Sequence, residues 1–402
     1  MPVTVRRLVS TCVAAVLLYA CSTGSGPTNQ PLFLIATIDT GVGSSIQTSM
    51  AQDGAGRVHL AYSQEGAGML RYATCAATCF DDGSWNRTTV DTTSHSGLDN
   101  AIVADGVGGL HIAYQVYDGQ GDLRYAACTT GCTQAGSWQV VTIDSAGNTG
   151  HDASLTVDGS QRLHVTYLEY VPVAGGLWRL KYASCASNCT TPGNWQLAVL
   201  DSARVLTVSS RALMAEGSGR LQLVYQRADT TAPVPLYYAS CDANCGTPGN
   251  WSSVLLDPDP VSSARAVLAL DASGAPRLDY WGHYSGEAAL IFGGCDSGCG
   301  NVAQWGFLPL QIVSSSSSDI AQHSLLIDAS GRPHASFRDG GLAYASCVAN
   351  CTLPGSWFEI LADGSALSGG ASSIAVLAGG QIGIAYLAPG GADGRIRFAV
   401  SE

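Results

Sequence analysis

Three observations in the sequence predict an all-β fold built from one repeated unit. The composition is the first: 12% of the 402 residues are charged and 48 are glycine, which is typical of short strands joined by many turns. The second is a pair of cysteines four positions apart, followed by a tryptophan, which recurs six times. The third is that each period contains four segments with the length and alternation of β-strands.

The repeat has a regular spacing along the chain. The stretch "LRYATCAATCFDDGSW" at residues 70–85 returns as "LKYASCASNCTTPGNW" at 180–195 and as "LAYASCVANCTLPGSW" at 342–357. Six copies follow one another at a period of about 54 residues, and a fixed period of this length is typical of propellers and solenoids. Four short antiparallel strands per period is the composition of a propeller blade.

The two ends of the chain predict the number of blades. After the sixth copy, residues 371–402 supply three strands and no fourth, whereas residues 32–39, "LFLIATID", form a strand with no blade of their own. Pairing this N-terminal strand with the last three would complete a seventh blade and leave no open edge between the ends. We therefore predict a seven-bladed β-propeller over residues 32–402, closed by strand 32–39, with repeats at about 45–91, 95–144, 151–201, 209–257, 264–312, 322–363 and 371–402.

The N-terminus has the pattern of an export signal. Arg6 and Arg7 precede an apolar run that is too short to span a bilayer. Its end, "LYAC", resembles the lipobox of bacterial lipoproteins, which implies a signal peptide over residues 1–21, cleavage after Ala20 and a lipid on Cys21. A plain secretory signal is the alternative. Ser22 resembles the outer-membrane sorting signal of Gram-negative lipoproteins, and residues 22–31 would form a flexible tether. The expected location is the cell envelope, anchored to the outer membrane.

The paired cysteines favour disulfides, because export leads to an oxidising compartment. A zinc site would need four ligands at one point, whereas each pair lies in a different blade. A thioredoxin-like redox centre would have two intervening residues and a single copy. Closing each loop should stabilise the fold by about 2 kcal/mol in the chain-entropy model. The predicted pairs are Cys75–Cys79, Cys128–Cys132, Cys185–Cys189, Cys241–Cys245, Cys295–Cys299 and Cys347–Cys351.

The turn after the cysteine loop carries a family resemblance. The segment "DDGSW" at 81–85, and the Gly-x-Trp in other copies, resembles a shortened Asp-box, the turn motif of sialidase-type propellers. The likeness implies the propeller fold and no enzymology, because no arginine triad or tyrosine–glutamate pair of a sialidase maps onto this sequence. More broadly, the chain resembles repeat-rich propeller lipoproteins of large Gram-negative genomes.

Blade topology separates two faces of the predicted ring. The cysteine-loop face carries the cysteine loops and the turns between first and second strands. The variable face carries the loops between second and third strands and the connections between blades, and there the repeats diverge. His59, His111, His164 and His334 share one repeat position and are interpreted as structural. The candidate ligand-binding residues all map to the variable face: His95, Asp99, Tyr117, His151, Asp152, Tyr170, Trp178, Arg211, Arg265, His283 and His323.

These residues support three functional hypotheses. The first is a lipid-anchored, non-enzymatic propeller that binds a glycan or protein, with no paired carboxyls of strongly split proton affinity in the channel mouth. A glycosidase or lyase is the second; it needs Asp99 or Asp152 to face another acid or a histidine across a deep pocket. The third is a structural scaffold, with polar residues merely lining a solvated mouth. The net charge of −12 and the single lysine exclude a nucleic-acid partner. We expect a monomer with no cofactor and no metal.

Overall fold

The computed structural model describes residues 31–43, 47–64, 68–117, 119–230, 233–261, 265–313, 323–389 and 394–402. The proposed signal peptide, Cys21 and most of the tether lie outside these residues. Phe33–Glu402 form one compact unit. Within the described residues, no helix has the length and apolar character needed to cross a membrane.

The structure is a seven-bladed β-propeller, as the repeat predicted, and each blade is an antiparallel sheet. Blade 1 contains β2 (Thr48–Gln52), β3 (Val58–Gln64), β4 (Met69–Cys75) and β5 (Asn86–Asp91). Blade 2 contains β6 (Ser96–Ala104), β7 (Leu110–Val116), β8 (Asp122–Cys128) and β9 (Gln139–Asp144). Blade 3 contains β10 (Asn148–Val157), β11 (Leu163–Val171), β12 (Leu177–Cys185) and β13 (Gln196–Ala203).

Blade 4 differs from the others because its innermost strand is split into two pieces that both pair with the next strand. It contains β14 (Val205–Thr207), β15 (Leu213–Ala215), β16 (Leu221–Ala228), β17 (Leu236–Cys241) and β18 (Ser252–Asp257). Blade 5 contains β19 (Val267–Leu270), β20 (Pro276–Tyr284), β21 (Glu287–Gly294) and β22 (Gly306–Val313). Blade 6 contains β23 (Ser324–Ile327), β24 (Pro333–Arg338), β25 (Leu342–Cys347) and β26 (Trp357–Asp363).

Blade 7 joins the two ends of the propeller. It contains β27 (Gly370–Val376), β28 (Ile382–Ala388), β29 (Arg395–Ser401) and, as its outer strand, β1 (Phe33–Thr40). β1 runs antiparallel to β29, from Phe33 opposite Ser401 to Thr40 opposite Arg395. Five short 3-10 turns precede the outer strands of blades 1 to 5: Asp82–Ser84, Ala135–Ser137, Pro192–Asn194, Pro248–Asn250 and Val302–Gln304.

The innermost strands form a closed ring. β2, β6, β10, β15, β19, β23 and β27 contact one another in that order, and β27 also contacts β2. Serine hydroxyls accept from the next inner strand: the Ile102 amide donates to Ser49 Oγ at 2.9 Å and the Leu213 amide to Ser154 Oγ at 3.1 Å. The hydroxyl of Thr48 donates to the carbonyl of Ala371, which joins blade 1 to blade 7.

The closing strand is also held by a side chain that the repeat supplies in several blades. An aspartate at the end of an outer strand accepts from a tyrosine of the following blade, as Asp91 does from Tyr114 at 2.7 Å. Asp39 of β1 plays this part for Tyr62 of blade 1, at 2.6 Å. Blade 7 is therefore joined to blade 1 by the same type of hydrogen bond that joins blade 1 to blade 2.

All six predicted disulfides are present, each with Cα atoms 5.7 to 5.8 Å apart. Each disulfide closes the loop between the third and fourth strands of its blade. The residue before the second cysteine has a positive φ, for example 51° at Asn188 and 67° at Gly298. Asparagine and glycine tolerate this left-handed conformation best, which accounts for their frequency at this position.

The repeated tryptophan connects the cysteine loop to the neighbouring blade. The indole N–H of Trp138 donates to the carbonyl of Cys132 at 2.9 Å, and its ring packs edge-on against Tyr72 of blade 1 at 5.1 Å. The same indole hydrogen bond forms in all six copies. Trp85 of blade 1 packs in the same way against Phe398 of blade 7, at 5.0 Å. The tryptophans are therefore packing residues of the blade junctions.

Replacing Trp138 should destabilise the protein in two separable steps. We expect Trp138→Ala to lower the free energy of unfolding by about 3 to 5 kcal/mol, because it removes a buried aromatic ring from the junction. Trp138→Phe keeps much of the ring and loses the hydrogen bond to Cys132, so it should cost about 1 to 3 kcal/mol. Urea unfolding measures both, with Val107→Ala, at a side chain that is 85% exposed, as the control. Equal midpoints for Trp138→Ala and the control would contradict this account of the junction.

Candidate functional site

The predicted residues at the channel mouth lie on bulges of the innermost strands. The pairing register shifts between Leu98 and Ala101 in β6, and between His151 and Ser154 in β10. Asp99 and Asp152 occupy these bulges with positive φ values of 46° and 51°. A bulge leaves a residue outside the ladder and turns its side chain, and bulges are frequent next to functional sites. Local backbone geometry therefore directs the two carboxyls differently from a regular strand.

Blades 4 and 5 place basic residues at related positions. In blade 4 the interruption between β14 and β15 contains Arg211, and in blade 5 Arg265 precedes β19 with a φ of 46°. These two residues, together with Asp152, His323 and Gln47, line one cavity to which blades 1, 3, 4, 5, 6 and 7 contribute. The cavity has a volume of about 30 Å³, which is room for about one water molecule and far less than a sugar ring needs.

Arg211 explains why the cavity is so small. Its guanidinium donates from Nη1 to the hydroxyl of Ser324 in blade 6 at 2.5 Å, and the same nitrogen lies 3.5 Å from the carbonyl oxygen of Ile374 in blade 7. The side chain therefore reaches from blade 4 to the two blades beyond blade 5. Removal from water lowers the pKa of Arg211 to about 10, an effect opposed by the charge of Asp279, so the group stays cationic at neutral pH.

Asp279 is a charged residue of the channel region that the sequence reasoning missed. It lies on β20, fully buried, and its Oδ1 is 3.2 Å from Nε2 of His323, which is also buried. In the strand register Asp279 corresponds to Ala61, Ala113, Thr166, Val224, Ser336 and Ala385 of the other blades. A carboxylate at a position that otherwise holds small or apolar side chains was the available signal. The structure thus pairs the predicted residue His323 with Asp279 in the neighbouring blade.

Asp99 and Asp152 are two carboxyls of neighbouring blades whose charges interact. Burial and the charge of Asp99 raise the pKa of Asp152 to about 8, and Arg265 opposes this rise. Asp99 accepts from Gln47 Nε2 at 2.7 Å, and its Oδ2 is 4.0 Å from Nδ1 of His151. The binding hypothesis predicted no carboxyls of split proton affinity here, so on this point the structure agrees with the enzyme hypothesis. The enzyme hypothesis also required a deep pocket, which the cavity of about 30 Å³ does not provide.

Three of the predicted rim residues form one aromatic group. The ring of Trp178 is 5.1 Å from that of Tyr170 and 5.4 Å, edge-on, from that of His151. Nε2 of His151 lies 2.8 Å from Oδ1 of Asn148. Burial lowers the pKa of the His151 imidazole, and the charge of Asp99 opposes this effect. β11 and β12, with nine residues each, bring this group to the rim. It combines apolar ring surface with hydrogen-bonding groups that lead to Asp99.

The remaining predicted residues have contacts within their own rim segments. Nδ1 of His95 lies 2.9 Å from the hydroxyl of Ser94, and the amide of Tyr117 donates to the carbonyl of His95 at 3.0 Å. The exposed His283 has its Nδ1 2.9 Å from the carbonyl oxygen of Asp259. Among the described residues there is no group of three or more histidine, cysteine, aspartate or glutamate side chains that could hold a metal ion.

The repeat-locked histidines lie towards the cysteine-loop face, in a three-residue network. His164 has Nδ1 2.6 Å from the hydroxyl of Tyr182 and Nε2 3.1 Å from Asp158. His59, His111 and His334 have equivalent tyrosine and aspartate partners. In blade 4, Gln222 replaces the histidine and joins Tyr238 to Glu216 at 2.7 Å each. Since glutamine makes the same connection without a titrating ring, the network holds the blade together and does not require a proton to move.

Comparison with known proteins supports the propeller fold and identifies no family. No family model matches the chain, and no curated protein matches it. A protein of unknown function from Dyadobacter fermentans is similar in structure, with 8% identity and a TM-score of 0.54 over 92% of this chain and 98% of that one. The polysaccharide lyase Uly1 has 10% identity and a TM-score of 0.50 over 88% and 89%. The intramolecular trans-sialidase from Ruminococcus gnavus has 13% identity and a TM-score of 0.44 over 87% and 91%.

At these identities the likeness shows the propeller fold alone. The chain is a β-propeller with distant structural similarity to the Dyadobacter protein and to the lyase.

The histidine network predicts a loss of stability in mild acid. Burial lowers the pKa of His59, His111, His164 and His334 below 6.5, so the unfolded chain binds more protons than the folded one as the pH falls through that value. The free energy of unfolding contributed by these groups therefore decreases between pH 7.5 and pH 5.0. A variant with glutamine at all four positions, the residue that blade 4 has naturally as Gln222, should lose this part of the dependence.

Urea unfolding of both proteins at the two pH values measures the effect. Asp152 and Glu359, with pKa values raised to about 8 and about 7, change stability in the opposite direction but are common to both proteins. The difference between the proteins therefore isolates the histidines. A steeper acid loss in the glutamine variant than in the unchanged protein would contradict the interpretation.

Proposed function

We propose that this protein is a lipid-anchored propeller of the cell envelope that binds a glycan at the variable face, without turnover. The observation that carries the proposal is the aromatic group of Trp178, Tyr170 and His151 at the rim, beside Asp99. Flat aromatic faces cover the apolar side of a sugar ring, while carboxylate and amide groups accept and donate to its hydroxyls. The narrow cavity behind the rim supports binding at the surface over insertion into the channel.

A second function, glycoside cleavage by a hydrolase or lyase, is favoured by one observation. Asp152 has a pKa of about 8 because of burial and the charge of Asp99, which would let it donate a proton at neutral pH. Cleavage would require a movement that opens the channel next to Asp152, because a sugar does not fit there in the conformation described.

A glycan array of the body from residue 22 onward tests the binding function. Trp178→Ala should weaken retention of a glycan bound at the variable face about 30-fold, equal to about 2 kcal/mol, because a central aromatic contact is lost. Tyr284→Ala, at a tyrosine that is 47% exposed and outside the aromatic group, is the matched control and should not change retention. Equal retention by both variants would exclude the proposed site.

The same glycans separate binding from cleavage. Asp152→Asn resembles the neutral carboxyl and cannot supply a proton. If the protein only binds, this variant retains the glycan and no product is formed by either form. Product release by the unchanged protein that falls at least 100-fold in Asp152→Asn would establish the second function and refute a purely binding role.

The anchor is tested by replacing the cysteine of the lipobox. Cys21→Ala should move the protein from the membrane fraction to the soluble fraction, because it removes the acceptor of the lipid. Cys12→Ala, in the apolar run of the same segment, is the matched control and should leave the protein in the membrane fraction. Fractionation and the intact mass of the mature chain measure both. Retention of Cys21→Ala in the membrane would contradict the proposed anchor.

A further inference from the structure

Three cavities of the described structure lie on the cysteine-loop face, opposite the predicted site. They lie between neighbouring blades, with volumes of about 280 Å³ between blades 2 and 3, 520 Å³ between blades 4 and 5, and 400 Å³ between blades 5 and 6. Each is many times larger than the cavity of about 30 Å³ in the channel. Small-molecule sites typically measure about 300 to 1,000 Å³, so these three grooves are of ligand size.

The three grooves are copies of one another. Each is bounded by the cysteine loop of the following blade and by the residue at the repeat position of His111 in the preceding blade. That residue is His111 itself, Gln222 or Arg277. The residue two positions after the first cysteine of the loop lines each groove and is exposed. It is Ser187, Ser297 or Ala349. The same parts of the repeat therefore form each of these three grooves.

The chemistry of the groove walls favours a neutral ligand with many hydroxyl groups. Uncharged amides and hydroxyls contribute to the walls, among them Gln161 and Asn188 in the first groove and Gln304 and Asn350 in the third. Amide side chains donate and accept hydrogen bonds at once, as sugar hydroxyls do. A hydroxyl-rich ligand could therefore replace water on these walls without loss of hydrogen bonds.

The charged side chains of the grooves already have protein partners. Arg277 lies 2.6 Å from Asp296 and 3.0 Å from Asp271, and Arg220 lies 3.2 Å from Asp242. In the first groove Asp105 lies 3.1 Å from His111. An acidic or basic ligand would have to displace one of these partners, whereas a neutral one would not.

We propose that these grooves between blades are repeated binding sites for units of a neutral saccharide. The sites are separate from the aromatic group on the variable face and do not depend on it. Three equivalent weak sites on one rigid ring would bind a surface-displayed or polymeric glycan much more tightly than a single unit, because later contacts form at high effective concentration. The gain from such linkage is typically about 10² to 10⁴.

Tryptophan at the shared loop position tests the proposal. Ser187→Trp, Ser297→Trp and Ala349→Trp each place a large side chain in one groove from an exposed position, so the fold should be retained. Ala77→Trp is the matched control, because Ala77 has the same place in the cysteine loop of blade 1 and lines none of the three grooves. The probe is an array of neutral mono- and oligosaccharides, followed by calorimetric titration with the best-retained free saccharide.

The expected result is about three equivalents bound per chain, falling by about one for each single substitution. The triple variant should lose retention of these neutral saccharides at least 100-fold, while Ala77→Trp keeps it. Absence of retention for every neutral saccharide, or equal retention by the triple variant and Ala77→Trp, would overturn the proposal. Retention that falls in Trp178→Ala and is unchanged in the triple variant would assign binding to the variable face alone, which would overturn this proposal and leave the proposed function standing.

Discussion

The architecture depends on the contact that the repeated tryptophan makes between blades. Its indole N–H donates to the cysteine loop of its own blade, while its ring packs against an aromatic residue of the preceding blade, as Trp138 does against Tyr72. The carbonyl that accepts this hydrogen bond belongs to a disulfide-bonded cysteine, so the disulfide and the tryptophan together stabilise the contact between blades. Trp85 extends the same contact to Phe398 and so joins the first copy of the repeat to the last blade.

The repeated contacts that hold the blades together leave the variable face free to differ between blades. The outer strands and the cysteine-loop face are held by repeated contacts. These are the disulfide, the tryptophan, the histidine network and the tyrosine–aspartate hydrogen bonds between blades. The inner strands carry bulges at Asp99 and Asp152 and a full interruption at Arg211. Each of these departs from the regular ladder and places a different charged side chain at the channel. A rigid scaffold can tolerate such local irregularity, which is where binding and catalytic groups are commonly found.

Much of the fold could be predicted from the sequence because the repeat expresses it directly. Period, strand pattern and disulfides follow from short-range spacing that occurs six times, and the joining of the two ends follows from the strands left over at each end. The channel was less accessible. Its closest contacts join residues such as Arg211 and Ser324, which are 113 positions apart, and no local pattern encodes the reach of one side chain across a ring. The bulges could not be predicted from the sequence either, because the residue with a positive φ in β10 is Asp152 and not a glycine.

Asp279 shows what closer reading of the repeat can add. Its partners could not be predicted, but its place could, because the other blades have small or apolar side chains there. The grooves on the cysteine-loop face illustrate the opposite case. The candidate residues all map to the variable face, where the repeats diverge, whereas the proposed groove sites depend on positions at which the repeats agree. Departures from a repeat and faithful copies of it therefore carry different kinds of functional information.

The joining of the two ends is the central claim, and amide hydrogen exchange of the body from residue 22 onward tests it most directly. If β1 completes blade 7, the hydrogen-bonded amides of Phe33–Thr40 exchange as slowly as those of β28 and β29, through unfolding of the whole ring. Exchange of Phe33–Thr40 within seconds, while β28 and β29 stay protected, would show that the first strand is not part of the propeller.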